Sequence, residues 1–146
     1  MNPDEKIVFG EQEWLDAYVN SINGSEAYAQ AAKDWEGDFV FVVTPDGTGN
    51  LTEERRMYVD LWHGKCREAY YVTPEKSAPE SVQYIFGGKY GDWLKVFDGK
   101  LDPLKGVLQR KFKVECSPKA MAKMLRAVKA SQELVKCTQM ENVVYP

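Results

Sequence analysis

Arg56-Met57-Tyr58-Val59-Asp60-Leu61-Trp62 runs straight into His63-Gly64-Lys65, and Cys66 to Thr73 follows. Met57, Val59 and Leu61 alternate with Tyr58, Asp60 and Trp62, the two-residue period of a strand. His63-Gly64-Lys65 is a hairpin turn signal, so Cys66 to Thr73 returns alongside. Just upstream, Phe39-Val40-Phe41-Val42-Val43 is a short all-apolar run, as a strand covered on both faces requires. Pro45-Asp46-Gly47 turns the chain out of it, and the loop to Asn50 is rich in glycine. Three strands joined by short loops are most simply an antiparallel meander. Val82 to Phe86 adds a strand with Val82, Tyr84 and Phe86 on one face. Lys111-Phe112-Lys113-Val114-Glu115-Cys116 alternates charged and apolar residues, a half-buried strand with Phe112, Val114 and Cys116 turned inward.

Helices flank this sheet on both sides in sequence. Trp14, Leu15, Tyr18, Val19 and Ile22 fall at helical spacing, and Asn23-Gly24 stops the run. Ser25 can cap a second helix carrying Tyr28, Ala29 and Ala32. Tyr90 to Phe97 reads as a helix bearing Trp93, Leu94 and Phe97. Asp102-Pro103 is a cap followed by proline at the first helical position, opening a short helix with Leu104, Val107 and Leu108. Ser117-Pro118 opens the closing helix in the same way, with Met121, Met124, Leu125, Val128 and Val135 on one stripe. The expected architecture is α+β: about five strands, mainly antiparallel, with helices packed on one face. It spans 1–146 as one domain: a helical N-terminal part over 1–34, a sheet with inserted helices over 35–116, a closing helix over 117–137 and a tail over 138–146.

Composition narrows the function. The 146 residues are 44% apolar and 28% charged, which is globular composition and large enough for a core without metal or disulfide staples. A net charge of −3 gives no basic field for phosphate, so no nucleic acid is expected as a partner. No apolar run approaches the roughly 18 residues that cross a bilayer, so no membrane-spanning segment is expected. The start, Met1-Asn2-Pro3-Asp4-Glu5-Lys6, lacks the pattern of a signal peptide. Cys66, Cys116 and Cys137 are far apart and odd in number, as for reduced thiols in the cytoplasm.

A catalytic constellation is not visible. The single histidine, His63, removes any two-histidine metal motif and sits at a hairpin tip, where a solvated turn residue is expected. Gly47-Thr48-Gly49-Asn50 lacks the length and lysine of a phosphate loop. Asp4-Glu5, Glu53-Glu54 and the acidic cluster from Asp34 to Asp38 read as loop or cap residues. Cys116 stands before a helix start, which could lower a thiol pKa, although its inward alternation favours a small buried hydrophobe. What stands out is apolar excess between Trp93 and Val128. A core and a pocket lining share one periodicity, so pattern alone does not separate them.

Asp92-Trp93-Leu94-Lys95-Val96-Phe97-Asp98-Gly99-Lys100-Leu101-Asp102-Pro103 leads into Leu108-Gln109-Arg110-Lys111-Phe112-Lys113-Val114-Glu115, and a helix with Met121, Met124 and Leu125 follows. This order resembles the sterol carrier protein 2 family of lipid-binding domains. Upstream, Asp60-Leu61-Trp62-His63-Gly64-Lys65 and Tyr84-Ile85-Phe86-Gly87 fit the same order. The likeness covers about residues 10 to 137 and is specific from about 80 to 130. Cys116-Ser117-Pro118 departs from the Gly-Asp-like turn that often follows the basic strand in that family.

The resemblance implies a hydrophobic tunnel between sheet and helices, occupied in various members by fatty acids, acyl-CoA, sterols or other lipids. It implies no catalytic residue, no metal and no cofactor. Positions matching cavity-facing ones are Trp93, Phe97, Leu104, Leu108, Phe112, Met121, Met124 and Leu125. The expected partner is a lipid or another apolar small molecule, with transient membrane-surface contact and a homodimer left open. A charged head would lie at the tunnel mouth near Lys105, Arg110 or Lys111. This carrier reading expects a void on the scale of roughly 300–1,000 Å³. Two alternatives stand beside it: an interaction or dimerisation module for a partner enzyme, and an enzyme acting on a lipid or thioester through Cys116 or an acid pair.

Overall fold

The computed structural model describes residues 5–146, and the first element among them is a short strand, β1 (Ile7–Val8). Helices α1 (Gln12–Asn23) and α2 (Glu26–Ala31) follow, the second capped by the Ser25 hydroxyl accepting from the Tyr28 N–H. Strands β2 (Glu36–Thr44), β3 (Arg55–Trp62), β4 (Lys65–Tyr71) and β5 (Tyr84–Lys89) come next. Helices α3 (Tyr90–Phe97) and α4 (Pro103–Leu108), strand β6 (Phe112–Glu115), helices α5 (Pro118–Arg126) and α6 (Val128–Lys136), and strand β7 (Val143–Val144) complete it. No helix among the described residues is long and apolar enough to cross a membrane.

The five central strands form one sheet in the order β4-β3-β2-β5-β6. β2, β3 and β4 are the antiparallel meander, and β5 pairs antiparallel with β6. One pairing departs from that pattern: β5 lies parallel to β2, with Phe39 opposite Tyr84 and Phe41 opposite Phe86. After β4 the chain crosses the sheet and re-enters on the far side of β2, which reverses the expected direction. The β3–β4 turn has φ of 49° at His63 and 78° at Gly64, the paired left-handed residues of a type I′ turn. A side chain at Gly64 would meet the Ala29 backbone at 2.7 Å, so the hairpin tip packs on α2 through a glycine.

Strand alternation sorts the two faces. Phe39, Val43, Met57, Val59, Leu61, Tyr84 and Phe86 join the helices in the main core. Val40, Val42 and Tyr58 form a smaller cluster on the other face, closed by Val72, Ala78 and Val82 of the β4–β5 connection. Val82 is therefore corrected: it lies before β5 and packs with Ile85 on the second face, not with Tyr84 and Phe86.

Two further expectations are corrected. The single closing helix is two helices, broken at Ala127 (φ −84°, ψ 49°). No glycine or proline marks the break. It re-aims the apolar stripe, so Met124 is buried from α5 while Val128 is 47% exposed. The stretch read as a tail also takes part in the core. β7 pairs parallel with β1, and Tyr145 stacks on Phe97 at 5.4 Å between ring centres.

Candidate functional site

Each helix turns apolar side chains toward one space beneath the sheet. α1 brings Trp14 and Tyr18, α2 brings Tyr28, and α3 brings Trp93, Val96 and Phe97. Pro103 and Leu104 open α4 against it, held by an Asp102 cap that accepts from the Leu104 and Lys105 N–H groups. Met124 of α5, Ala127 at the break, and Ala130, Ser131, Leu134 and Val135 of α6 close the floor. Phe39, Phe41, Met57, Leu61 and Phe86 form the roof from β2, β3 and β5.

The cavity between them has a volume of about 100 Å³. That corrects the expected several hundred, and it is below the roughly 150 Å³ void that accommodates benzene in an engineered core. The reason is aromatic crowding under the roof. Phe39 stacks on Tyr84 at 4.6 Å and on Phe41 at 5.0 Å, and Phe41 meets Trp93 edge-on at 5.9 Å.

Its electrostatics are simple. None of the described lining residues carries a charge. Burial pushes the Tyr18 phenol well above its ordinary pKa, and the Tyr28 phenol likewise. The Cys66 thiol is pushed up to about 11 and the Cys137 thiol is also raised, again chiefly by burial. These groups are all neutral at physiological pH. Three indoles line the space, and two are committed to backbone carbonyls: Trp35 Nε1 donates to Gly37 O at 3.1 Å and Trp93 Nε1 to Val42 O at 3.0 Å. Trp14 Nε1 is buried with no acceptor, a state that ordinarily costs about 1–3 kcal/mol.

The expected lining residues divide. Trp93, Phe97, Leu104 and Met124 border the cavity. Phe112 is buried behind Trp93, its ring 4.9 Å from the indole, and does not reach the space. Met121 and Leu125 are half-buried against the core on the flank of α5, outside the lining. Leu108 is corrected most clearly: it is 71% exposed at the last position of α4. Lys105, Arg110 and Lys111 are exposed and none borders the cavity. The contribution missed in the sequence comes from α1, α2 and the roof strands. Trp14, Tyr18 and Tyr28 showed as a helical stripe, a signal that marks burial without saying what is buried against it.

The residues weighed for catalysis stand apart from the cavity. His63 Nε2 lies 2.6 Å from Glu36 Oε2 on the surface. Glu53 and Glu54, both exposed, pair with Arg55 and Arg56. Asp38 accepts from the Tyr58 hydroxyl at 2.8 Å and the Gln83 N–H at 2.9 Å, a structural role. Asp4 lies outside the described residues. Burial raises the Cys116 thiol pKa rather than lowering it, which weakens it as a nucleophile.

Comparison with known proteins agrees with this geometry. The model of the SCP-2 sterol transfer family matches residues 19–129. Among solved structures, a crystal structure of sterol carrier protein 2 is 30% identical with a TM-score of 0.76, covering 91% of this chain and 98% of its own. A conserved hypothetical protein from Thermus thermophilus, described as possibly a sterol carrier protein, is 32% identical with a TM-score of 0.74, covering 90% and 87%. The apo form of sterol carrier protein 2 from Yarrowia lipolytica shares the fold at 16% identity and a TM-score of 0.52, covering 85% and 93%. No curated protein matches the chain significantly.

Proposed function

The chain belongs to the SCP-2 sterol transfer family, and from that premise we propose that it binds and carries an apolar lipid in the cavity beneath its sheet, without chemistry of its own. The observation that carries this reading is the cavity wall: aromatic and aliphatic side chains from every helix and three strands, with no charge among the described ones. A catalytic site needs polar groups converging on a reacting atom, whereas a carrier needs buried apolar surface. Trp93, Phe97, Leu104 and Met124 are the expected binding residues that border the space, joined by Trp14, Tyr18 and Tyr28.

A lipid chain needs more room than a cavity of about 100 Å³ offers. The wall therefore widens as the ligand enters, and the break at Ala127, which itself borders the space, is where it yields. Each buried methylene contributes about 0.8 kcal/mol, so ten give about 8 kcal/mol, the scale of micromolar affinity before the cost of widening.

Native mass spectrometry of freshly purified protein, followed by solvent extraction, tests this. A retained lipid in one-to-one ratio is the expected result. A bare mass, together with tryptophan emission unmoved by a fluorescent fatty acid, would remove the carrier reading.

A further inference from the structure

Trp14 is 1% exposed and borders the cavity, and its indole N–H is the one buried side-chain polar atom among the described residues that lacks a partner. Natural interiors rarely leave such a donor orphaned, so each case calls for a physical reason. Crowding by other donors is not the reason here. The neighbouring indoles of Trp35 and Trp93 both reach backbone carbonyls. Trp14 sits among rings instead: Phe9 edge-on at 4.8 Å, Tyr18 at 5.1 Å and Phe97 at 6.2 Å. Among them the indole N–H reaches no oxygen, nitrogen or sulfur acceptor. Tyr18 already donates its hydroxyl to Leu134 O at 3.4 Å.

We propose that Trp14 Nε1 is the specificity-determining donor of the cavity, and that the ligand is an uncharged apolar molecule carrying a carbonyl, ether or hydroxyl oxygen that accepts from it. This deepens the carrier reading and rests on it. The ligand's neutrality follows from the same wall. An ionised carboxylate or phosphate drawn down to Trp14 would meet no cation, because the described lining residues carry none, and an unpaired buried charge is strongly disfavoured. A neutral oxygen meets a donor that folding has left free, so its own desolvation is compensated. A plain hydrocarbon would fill the space and leave the indole as orphaned as before. The order of preference is therefore oxygen-bearing neutral ligand, then hydrocarbon, then fatty acid anion held at depth.

The test compares n-decane, 2-decanone and ionised decanoate at pH 8, titrated into ¹⁵N-labelled protein and into Trp14→Phe. In the unsubstituted protein, 2-decanone is expected to bind roughly tenfold tighter than decane, the ratio one net hydrogen bond gives. The Trp14 indole resonance, among the four tryptophans, is expected to move downfield with the ketone and not with decane. Trp14→Phe removes the donor along with part of the wall, so whatever its absolute affinities, it is expected to bind decane and 2-decanone equally and lose the ketone preference. A ketone preference that survives Trp14→Phe, or an indole resonance that ignores the ketone because water or the Phe9 ring already satisfies it, overturns the proposal. Decanoate bound as tightly as 2-decanone, with the same indole shift, overturns the neutral-ligand assignment. Decane binding without discrimination sinks the proposal alone, whereas no binding of any of the three sinks the carrier reading with it. If Trp14→Phe does not fold, the indole shift in the unsubstituted protein decides the matter.

Discussion

The ring of Phe112 is held between two glycines, and replacing either with alanine gives a sharp test of how the cavity wall is supported. A Cβ at Gly106 of α4 would stand 2.5 Å from Phe112 Cδ2 and 2.8 Å from Cε2. A Cβ at Gly88 of β5 would press the opposite edge of the ring, 2.6 Å from Cε1. The ring cannot slide away from either, because it is 3% exposed and packs on Trp93 at 4.9 Å and Phe86 at 5.2 Å. Neither glycine has a positive φ. On backbone grounds alone, alanine would then stabilise by about 0.5–1 kcal/mol. Overpacking a filled core costs about 1–3 kcal/mol. Steric conflict exceeds the entropic gain, so Gly88→Ala and Gly106→Ala should each destabilise by about 1–2 kcal/mol, or about 3–6 °C in Tm for a chain of this size. Urea unfolding should show a lower midpoint at unchanged slope. Phe112→Leu in the Gly106→Ala background should recover part of the loss, with a coupling of at least about 0.5 kcal/mol. A neutral or stabilising Gly106→Ala would refute the wedge, and with it the idea that Phe112 props Trp93 against the cavity.

Leu104→Ala should cost about 2–4 kcal/mol, since Leu104 is 8% exposed and borders the cavity. Leu108→Ser, at the exposed end of the same helix, should stay within about 0.5 kcal/mol and leave ligand affinity unchanged; urea midpoints and a ligand titration on the two variants check the contrast. Alkaline pH should weaken the fold. Burial raises the Cys66 thiol from 9.0 to about 11 and the Tyr84 and Tyr145 phenols from 10.0 to about 12, so the folded state keeps protons that the unfolded chain releases. Stability from these groups is complete below their unfolded pKa values and is lost as pH rises through the folded ones. Urea midpoints should hold level to about pH 9 and then fall, and Cys66→Ala should flatten the first part of that fall; a profile level to pH 11 would refute the buried, protonated state of these groups.

Local chemistry made most elements legible. The His63-Gly64 turn, the Asp102-Pro103 cap and the Ser117-Pro118 cap each act within a few residues, and each sits where the sequence places it. What was not legible depends on partners distant in the chain. The parallel pairing of β5 with β2 is fixed by the crossover after β4 and by Phe39 meeting Tyr84, which no window of either strand encodes. The break at Ala127 carries no breaker residue. It follows from two helices that must each turn a face to the same cavity, Met124 from one and Leu134 from the other.

The site divides along the same line, and the division explains why four expected residues border the cavity and four do not. Apolar periodicity in α3, α4 and α5 says which face of each helix is buried, and Trp93, Leu104 and Met124 lie on those faces. It cannot say whether the buried face meets empty space or another side chain, which is why Phe112, with the same alternation, ends as a wedge behind the wall. Trp14 and Tyr18 carry an equally ordinary helical stripe and belong to the cavity only because α1 folds back against β4, which brings them to the same space as the roof strands. The property that distinguishes Trp14 is a missing acceptor, and a missing acceptor exists only once every neighbour is in place. A binding site of this kind is therefore read last: burial comes from the sequence, the void from the packing, and the ligand's chemistry from the polar atom that packing leaves unanswered.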